Sequence, residues 1–422
     1  MKNKTKITSQ FYNVDIPVGW QLHKLENILI EGRLGGNYEN AESNIGIPVI
    51  KMGNLDRGSI KIDKIQYLPN NQIFTEEDLL IRGDLLLNTR NTLELVGKVA
   101  IWRSELPIAI YNSNLMRLKF DSSIVESNLF MNYTFNSYYI LRQLRGIATG
   151  TTSVAAIYGR DLDSIKFLIP PLPEQKAIAT VLSTWDEAIQ KTEALIQKKE
   201  LRKKWLMQKL LTGKKRLKGF YGEWKEKKLD QFIKEHKEKP TNIDNFIVLT
   251  SAKFGLVKQS EYYGDNRITN RDNADYNVIP PNYLTYRSRS DDGLFTFNKN
   301  DLGFTGLVSG YYPVFTIETE DIGFILMYIN YFRKKLSIFA IGTSQLVLTI
   351  NELKKAKFKF PEQKEQTAIS QVLQVADKEI SLLKNKVDKL REQKKGLMQV
   401  LLTGKKRLCL NQNLQNRSEL KN

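Results

Sequence analysis

Cysteine and histidine are nearly absent from this 422-residue chain, and each shortage removes a chemistry. A single cysteine, Cys409, excludes a disulfide framework and any multi-cysteine zinc site. The two histidines, His23 and His236, stand far apart without a ligand pattern around either, so no metal centre is expected. Long apolar runs are missing too. The most apolar stretch, Gly323–Phe332, is about half of the roughly 20 residues that span a bilayer. The polar, lysine-rich start is followed by no apolar segment, so no signal peptide is read there, and a cytoplasmic protein without a membrane partner is expected.

Catalytic signatures are equally scarce. Neither a GxxxxGK[ST] nor a GxGxxG phosphate loop occurs, and there is no GxSxG nucleophile turn. Ile279-Pro-Pro-Asn282 and Ile169-Pro-Pro-Leu172 lack the flanking polar and aromatic residues of an amino-methyltransferase motif. The Glu-x-Lys within Pro173-Glu-Gln-Lys176 is not matched in a second copy, where Thr367 replaces Lys176, and it reads as a helix cap. The chain is expected to bind rather than catalyse, and to hold no cofactor of its own.

What the chain has in excess is positive charge. Lysine plus arginine outnumber aspartate plus glutamate 64 to 46, a net +18. Such an excess points to a polyanionic partner, nucleic acid above all.

It also has an internal duplication. LMQKLLTGKKRL at 206–217 recurs as LMQVLLTGKKRL at 397–408. At that offset of 191, residues 170–217 align without a gap on 361–408, with 23 identities in 48 positions. Fainter echoes precede each copy. Trp20-x4-Leu25 matches Trp224-x4-Leu229, and Gly150-Thr151-Thr152 parallels Gly342-Thr343-Ser344. The chain alternates variable and repeated segments.

Each repeat reads as one long helix. Residues 174–212 hold no glycine or proline, prolines stand at 170, 171 and 173, and Gly213 and Gly404 follow the two copies. Apolar residues recur three and four apart: Ile178, Val181, Trp185, Ile189, Ile196, Leu206 and Leu210 in the first copy. The second copy has Ile369, Val372, Ile380, Leu383, Val387, Leu390, Leu397 and Leu401. Such a narrow seam needs a partner, and the matching copy is the natural one, giving an antiparallel coiled coil. About 39 residues make a rod of roughly 58 Å. The stretch 198–218 carries ten basic residues against one acid, Glu200. A solvated face, the helix dipole, a phosphate backbone or an acidic partner subunit would each accommodate it.

The variable segments read as strands and turns, with apolar runs such as Ile47–Ile50 and Phe246–Leu249 between Gly, Asn and Asp. The predicted class is therefore α+β: two strand-rich domains separated by two long helices, in a pseudo-twofold repeat. The loops carry side chains suited to bases and phosphates. The candidates for DNA contact are Lys51, Asn54, Arg57, Arg90, Asn91 and Thr151 in the first segment. In the second they are Arg267, Arg271, Arg287, Arg289, Tyr311 and Thr343.

Taken with the repeat boundaries near PLPEQK and LLTGKKRL, these residues strongly resemble the specificity subunit of type I restriction-modification enzymes. The resemblance runs from Trp20 to Leu408, and includes Ile16-Pro-Val-Gly-Trp20, 88–98 and Gly306–Tyr311. The second repeat departs at Glu362-Gln-Lys364, where the first has Pro171-Leu-Pro173, and at Gly396, which replaces Trp205. The resemblance implies target-recognition domains at 1–169 and 218–360, helical repeats at 170–217 and 361–408, and a polar tail at 409–422. It further implies a non-catalytic subunit reading a bipartite, asymmetric double-stranded DNA target. Two modification subunits would carry S-adenosylmethionine and methylate adenine. Motor-nuclease restriction subunits would use ATP and Mg. A coiled-coil specificity or scaffold protein of another DNA-defence system is the alternative.

Overall fold

The computed structural model describes residues 6–8, 13–39, 41–42, 45–151, 153–264, 275–343 and 345–408. The chain divides into two compact units, residues 1–192 with 386–422, and residues 193–385. The second is thus continuous in sequence, whereas the first is closed by the end of the chain.

The two long helices are Leu172–Leu210 and Gln363–Leu401, each of 39 residues. Both bounds differ by the same 191 positions as the repeat. The first helix begins two residues earlier than its last proline suggested. Pro173 lies inside the first turn, where the amide hydrogen it lacks would have had no helical acceptor. Both helices stop at a glycine in the left-handed region, Gly213 at φ +68° and Gly404 at φ +66°.

In the first unit a four-stranded antiparallel sheet is ordered Leu29–Leu34, Leu115–Phe120, Leu85–Asn88, Val99–Ile101. A three-stranded sheet runs Ile110–Tyr111, Ile47–Ile50, Gln66–Leu68, its first pair parallel. Leu86, Trp102 and Tyr111 belong to a cluster with Ile50 and Leu55 that joins the two sheets. Helices Asn128–Phe135 and Tyr138–Ile147 bury Phe130, Phe135 and Ile140 in the main core. That same core takes Ile178, Ala179 and Leu182 from the start of the first long helix and Leu401 and Leu402 from the end of the second.

The second unit repeats this plan with different side chains. Its antiparallel sheet is ordered Ile233–His236, Val314–Ile317, Leu284–Tyr286, Phe297–Lys299. Its other sheet again contains one parallel pair, Ile247–Ala252 with Gly306–Ser309. Leu210 and Leu211 from the end of the first long helix share its core with Ile369 and Leu373 from the start of the second. In each unit, then, the start of one repeat packs against the end of the other, which is an antiparallel pairing.

Ionic contacts set the register of that pairing. In the first unit Arg407 binds Glu174 through two hydrogen bonds of 2.6 and 2.7 Å, and Lys394 reaches Asp186 at 2.5 Å. In the second, Arg216 binds Glu365 through two bonds of 2.5 Å, and Lys203 pairs with Asp377. Each partner is displaced by 191 from its counterpart. The reading of the Glu174-x-Lys176 motif as a helix cap is corrected at Glu174 accordingly, because its carboxylate is taken by Arg407 and Trp20. The glutamate side chain is almost wholly buried and pairs with an arginine 233 residues away. The glutamine ties the helix to the variable segment. Gln175 accepts from the Glu126 amide at 2.9 Å and donates to Ile124 O and Pro170 O at 2.8 Å. Gln366 likewise accepts from the Asp321 amide at 3.2 Å and donates to Pro361 O at 3.0 Å. Part of the basic stretch 198–218 is engaged in the same way, since Lys199, Lys203 and Arg216 pair with Glu379, Asp377 and Glu365.

All fifteen seam positions are buried or half-buried. Among the described residues, no helix is long and apolar enough to cross a membrane, and no group of three or more His, Cys, Asp or Glu could hold a metal ion.

Candidate nucleic-acid interface

In each unit a short ribbon presents an arginine beside a glycine-threonine turn. In the first unit Arg90 and Asn91 pair with Ala156 and Ala155, which pair in turn with Thr149 and Gly150. Gly150 has φ +130°, and a Cβ there would lie 2.3 Å from Val154 O, so the turn requires glycine. Thr151 follows, exposed, with its hydroxyl accepting from the Val154 amide at 3.2 Å. In the second unit Arg289 pairs with Val347, which bridges Ile341. Gly342 has φ +125°, a Cβ there would lie 2.3 Å from Gln345 O, and exposed Thr343 follows. Arg90 and Arg289 therefore hold equivalent ribbon positions, and both are exposed.

Their surroundings differ. Beneath the second ribbon, three successive residues are laced to the turn after Gly306–Ser309. Arg287 Nε donates to the Tyr312 hydroxyl at 3.1 Å, and buried Ser288 donates to Tyr311 O at 2.5 Å. The Arg289 guanidinium lies 4.4 Å from the centre of the Tyr311 ring. In the first unit Thr89, the counterpart of Ser288, donates to Asn114 O at 3.0 Å, but no aromatic ring occupies that turn. Neither Arg90 nor Arg289 has an ion pair with a described residue.

Beside Arg287 and Arg289 opens a cavity of about 590 Å³ that Lys253, Phe254 and Tyr262 also line. Lys253 and Phe254 form a two-residue turn closed by the pairing of Ala252 with Gly255, and Phe254 is 75% exposed. These three residues were not singled out by residue type. The signal for Phe254 is positional: an aromatic at a two-residue hairpin tip stays largely solvated, here with only the Tyr262 ring beside it, centres 6.0 Å apart.

The 51–57 loop is a built turn. Asn54 is only 6% exposed. Its side-chain oxygen accepts from the Lys51 amide at 2.9 Å, and its nitrogen donates to Lys61 O and Lys64 O. With its amide spent on holding the loop, Asn54 is withdrawn from the contact set. Lys51 donates to Gln66 at 2.7 Å. Half-buried Arg57 reaches Glu94 O at 3.5 Å, and burial, then the charge of Arg145, push its guanidinium below its ordinary pKa. Asn91 accepts from the Thr92 amide at 2.9 Å. Arg267 and Arg271 lie outside the described residues.

The model of the type I restriction modification DNA specificity domain matches residues 17–201 and again 221–392. The MjaX type I restriction enzyme specificity subunit of Methanocaldococcus jannaschii is 24% identical over 420 residues, covering 93% of this chain and 95% of that protein. The MjaVIII specificity subunit of the same organism is 25% identical over 329 residues, 71% and 75% of the two chains. Among solved structures, the type I restriction-modification S subunit from M. genitalium superposes with a TM-score of 0.57 at 14% identity. That match covers 95% of this chain and 99% of that one. The fold is shared with that subunit.

Proposed function

Because the chain belongs to the family of type I restriction-modification DNA specificity subunits, we propose that its two units each read one half of a split, asymmetric double-stranded DNA target. The observation that carries this reading is the pair of equivalent ribbons. One backbone arrangement is used twice, with Arg90 over no aromatic ring of the described residues in one copy and Arg289 seated on Tyr311 in the other. Two recognition surfaces alike in plan and unlike in side chains suit two different half-sites. The net +18 supplies the general attraction for phosphate.

In this reading residues 1–169 and 218–360 are the target-recognition segments, and Lys51, Arg57, Arg90, Asn91, Thr151, Arg287, Arg289, Tyr311 and Thr343 are contact residues. The repeats 170–217 and 361–408 set the spacing between half-sites and dock two modification subunits, with 409–422 as a tail. As a specificity subunit the chain recognises, and catalysis belongs to its partners. The modification subunits use S-adenosylmethionine to methylate adenines flipped from the duplex. The motor-nuclease restriction subunits use ATP and Mg. The complex works in the cytoplasm, where the DNA is.

Methylome sequencing of cells expressing this chain with its modification subunit tests the reading. A split adenine-methylation motif that vanishes on deletion of this chain is the expected result. An active modification subunit that leaves no such motif would overturn it.

A further inference from the structure

We infer that Arg289 reads a guanine in the major groove of the half-site recognised by residues 218–360, and that Tyr311 holds it in the reading position. The inference rests on the DNA-recognition reading above and deepens it at one residue.

Arginine is the side chain that most often recognises guanine, because its planar fork of N–H donors matches the coplanar O6 and N7 acceptors. A free arginine loses rotamer freedom on binding, which subtracts from the discrimination it supplies. Here that loss is reduced before DNA arrives. The guanidinium lies over the Tyr311 ring at 4.4 Å, and the ring sits on a turn fixed from beneath by the 2.5 Å bond from Ser288 to Tyr311 O. The neighbouring Arg287 is held by Tyr312 at 3.1 Å. A cation resting against a ring keeps its donors available to acceptors lying in the guanidinium plane. No carboxylate among the described residues pairs with Arg289, so its donors are not already consumed. Tyr311 is 63% exposed, so the pair stands at the surface where a groove edge can approach it. Arg90, its counterpart, lies over no such ring among the described residues.

The test uses the complex of this chain with its modification subunits and a panel of duplexes built on the methylated motif. Each position of the second half-site is changed in turn, and binding is measured at fixed salt. For the wild type, replacing one G·C pair should weaken binding roughly 5- to 150-fold. Arg289→Ala should abolish the preference at that position while every other position keeps its own, and Arg289→Lys, which keeps the charge but loses the planar fork, should weaken it. Tyr311→Ala should weaken the same preference, and Tyr311→Phe should retain it. Unchanged discrimination in the first half-site serves as the folding control. The inference is overturned if Arg289→Ala weakens all duplexes equally, which marks a phosphate contact, or if no G·C position responds to it. A wild-type complex that binds every duplex alike would instead remove the DNA-recognition reading itself.

Discussion

Glu174 and Glu365 occupy the same place in the two repeats, yet they are not held alike. Glu174 receives Arg407 and also the indole N–H of Trp20 at 3.0 Å. Glu365 receives Arg216, while the indole nitrogen of Trp224 is buried and finds no acceptor among the described residues. Trp224 packs instead against Phe324 and Tyr328, with ring centres 6.4 and 6.3 Å away. Duplication has therefore preserved the contact between repeats and let the contact from the variable segment drift. The arginine and the glutamate both belong to repeats, and the same pair is kept in both units. A tryptophan on the border answers to the domain it enters.

The largest expected effect comes from removing the arginines. Arg216→Ala strands Glu365, whose side chain is 1% exposed, and breaking such a buried pair costs about 3–5 kcal/mol. Arg407→Ala should cost less, because Glu174 keeps the Trp20 bond. Hydrogen exchange at the starts of the two long helices reads the difference, and equal loss of protection in the two variants would contradict it.

The tryptophans sharpen the same contrast. Trp20→Phe and Trp224→Phe remove similar volumes, so their difference isolates the hydrogen bond to a charged group, about 1.5–3 kcal/mol. Urea unfolding should show the greater loss for Trp20→Phe. If Trp224→Phe costs as much, the geometric distinction between the units carries no energy.

The smallest effect is expected at the second ion pair. Asp186 is bound by Lys394 and by the Tyr133 hydroxyl at 2.7 Å, and burial, followed by that bond, pushes the Tyr133 pKa upward. Asp377 has Lys203 and is more exposed. Asp377→Asn should change stability by no more than about 1 kcal/mol and lose even that in high salt. Asp186→Asn should cost more and depend less on salt. A salt titration of both variants decides, and equal salt dependence would count against the ranking.

Much of the helical architecture was legible in the residues. The seam spaced by three and four and the glycines after each copy depend on neighbours within a turn or two, so local geometry decides them, and the 191-residue offset is read by laying the chain on itself. The start of the first helix was misplaced for a related reason, because proline excludes helix interiors but not a first turn. Side-chain roles were harder to read. Asn54 has the right chemistry for adenine and is consumed by three backbone groups. Phe254 looks like core material and stands in solvent.

By itself, then, the order of residues determined that this is a duplicated α+β chain with two long seamed helices, a large positive charge and a family resemblance carried by repeat motifs. Only the tertiary structure decided that Glu174 meets Arg407 and Glu365 meets Arg216, that Arg90 and Arg289 are equivalent, and that one of them rests on a tyrosine. Periodicity and turn chemistry are properties of adjacent residues, so they can be read along the chain. A contact between residues far apart in sequence exists only once the backbone has been folded to bring them within hydrogen-bonding distance.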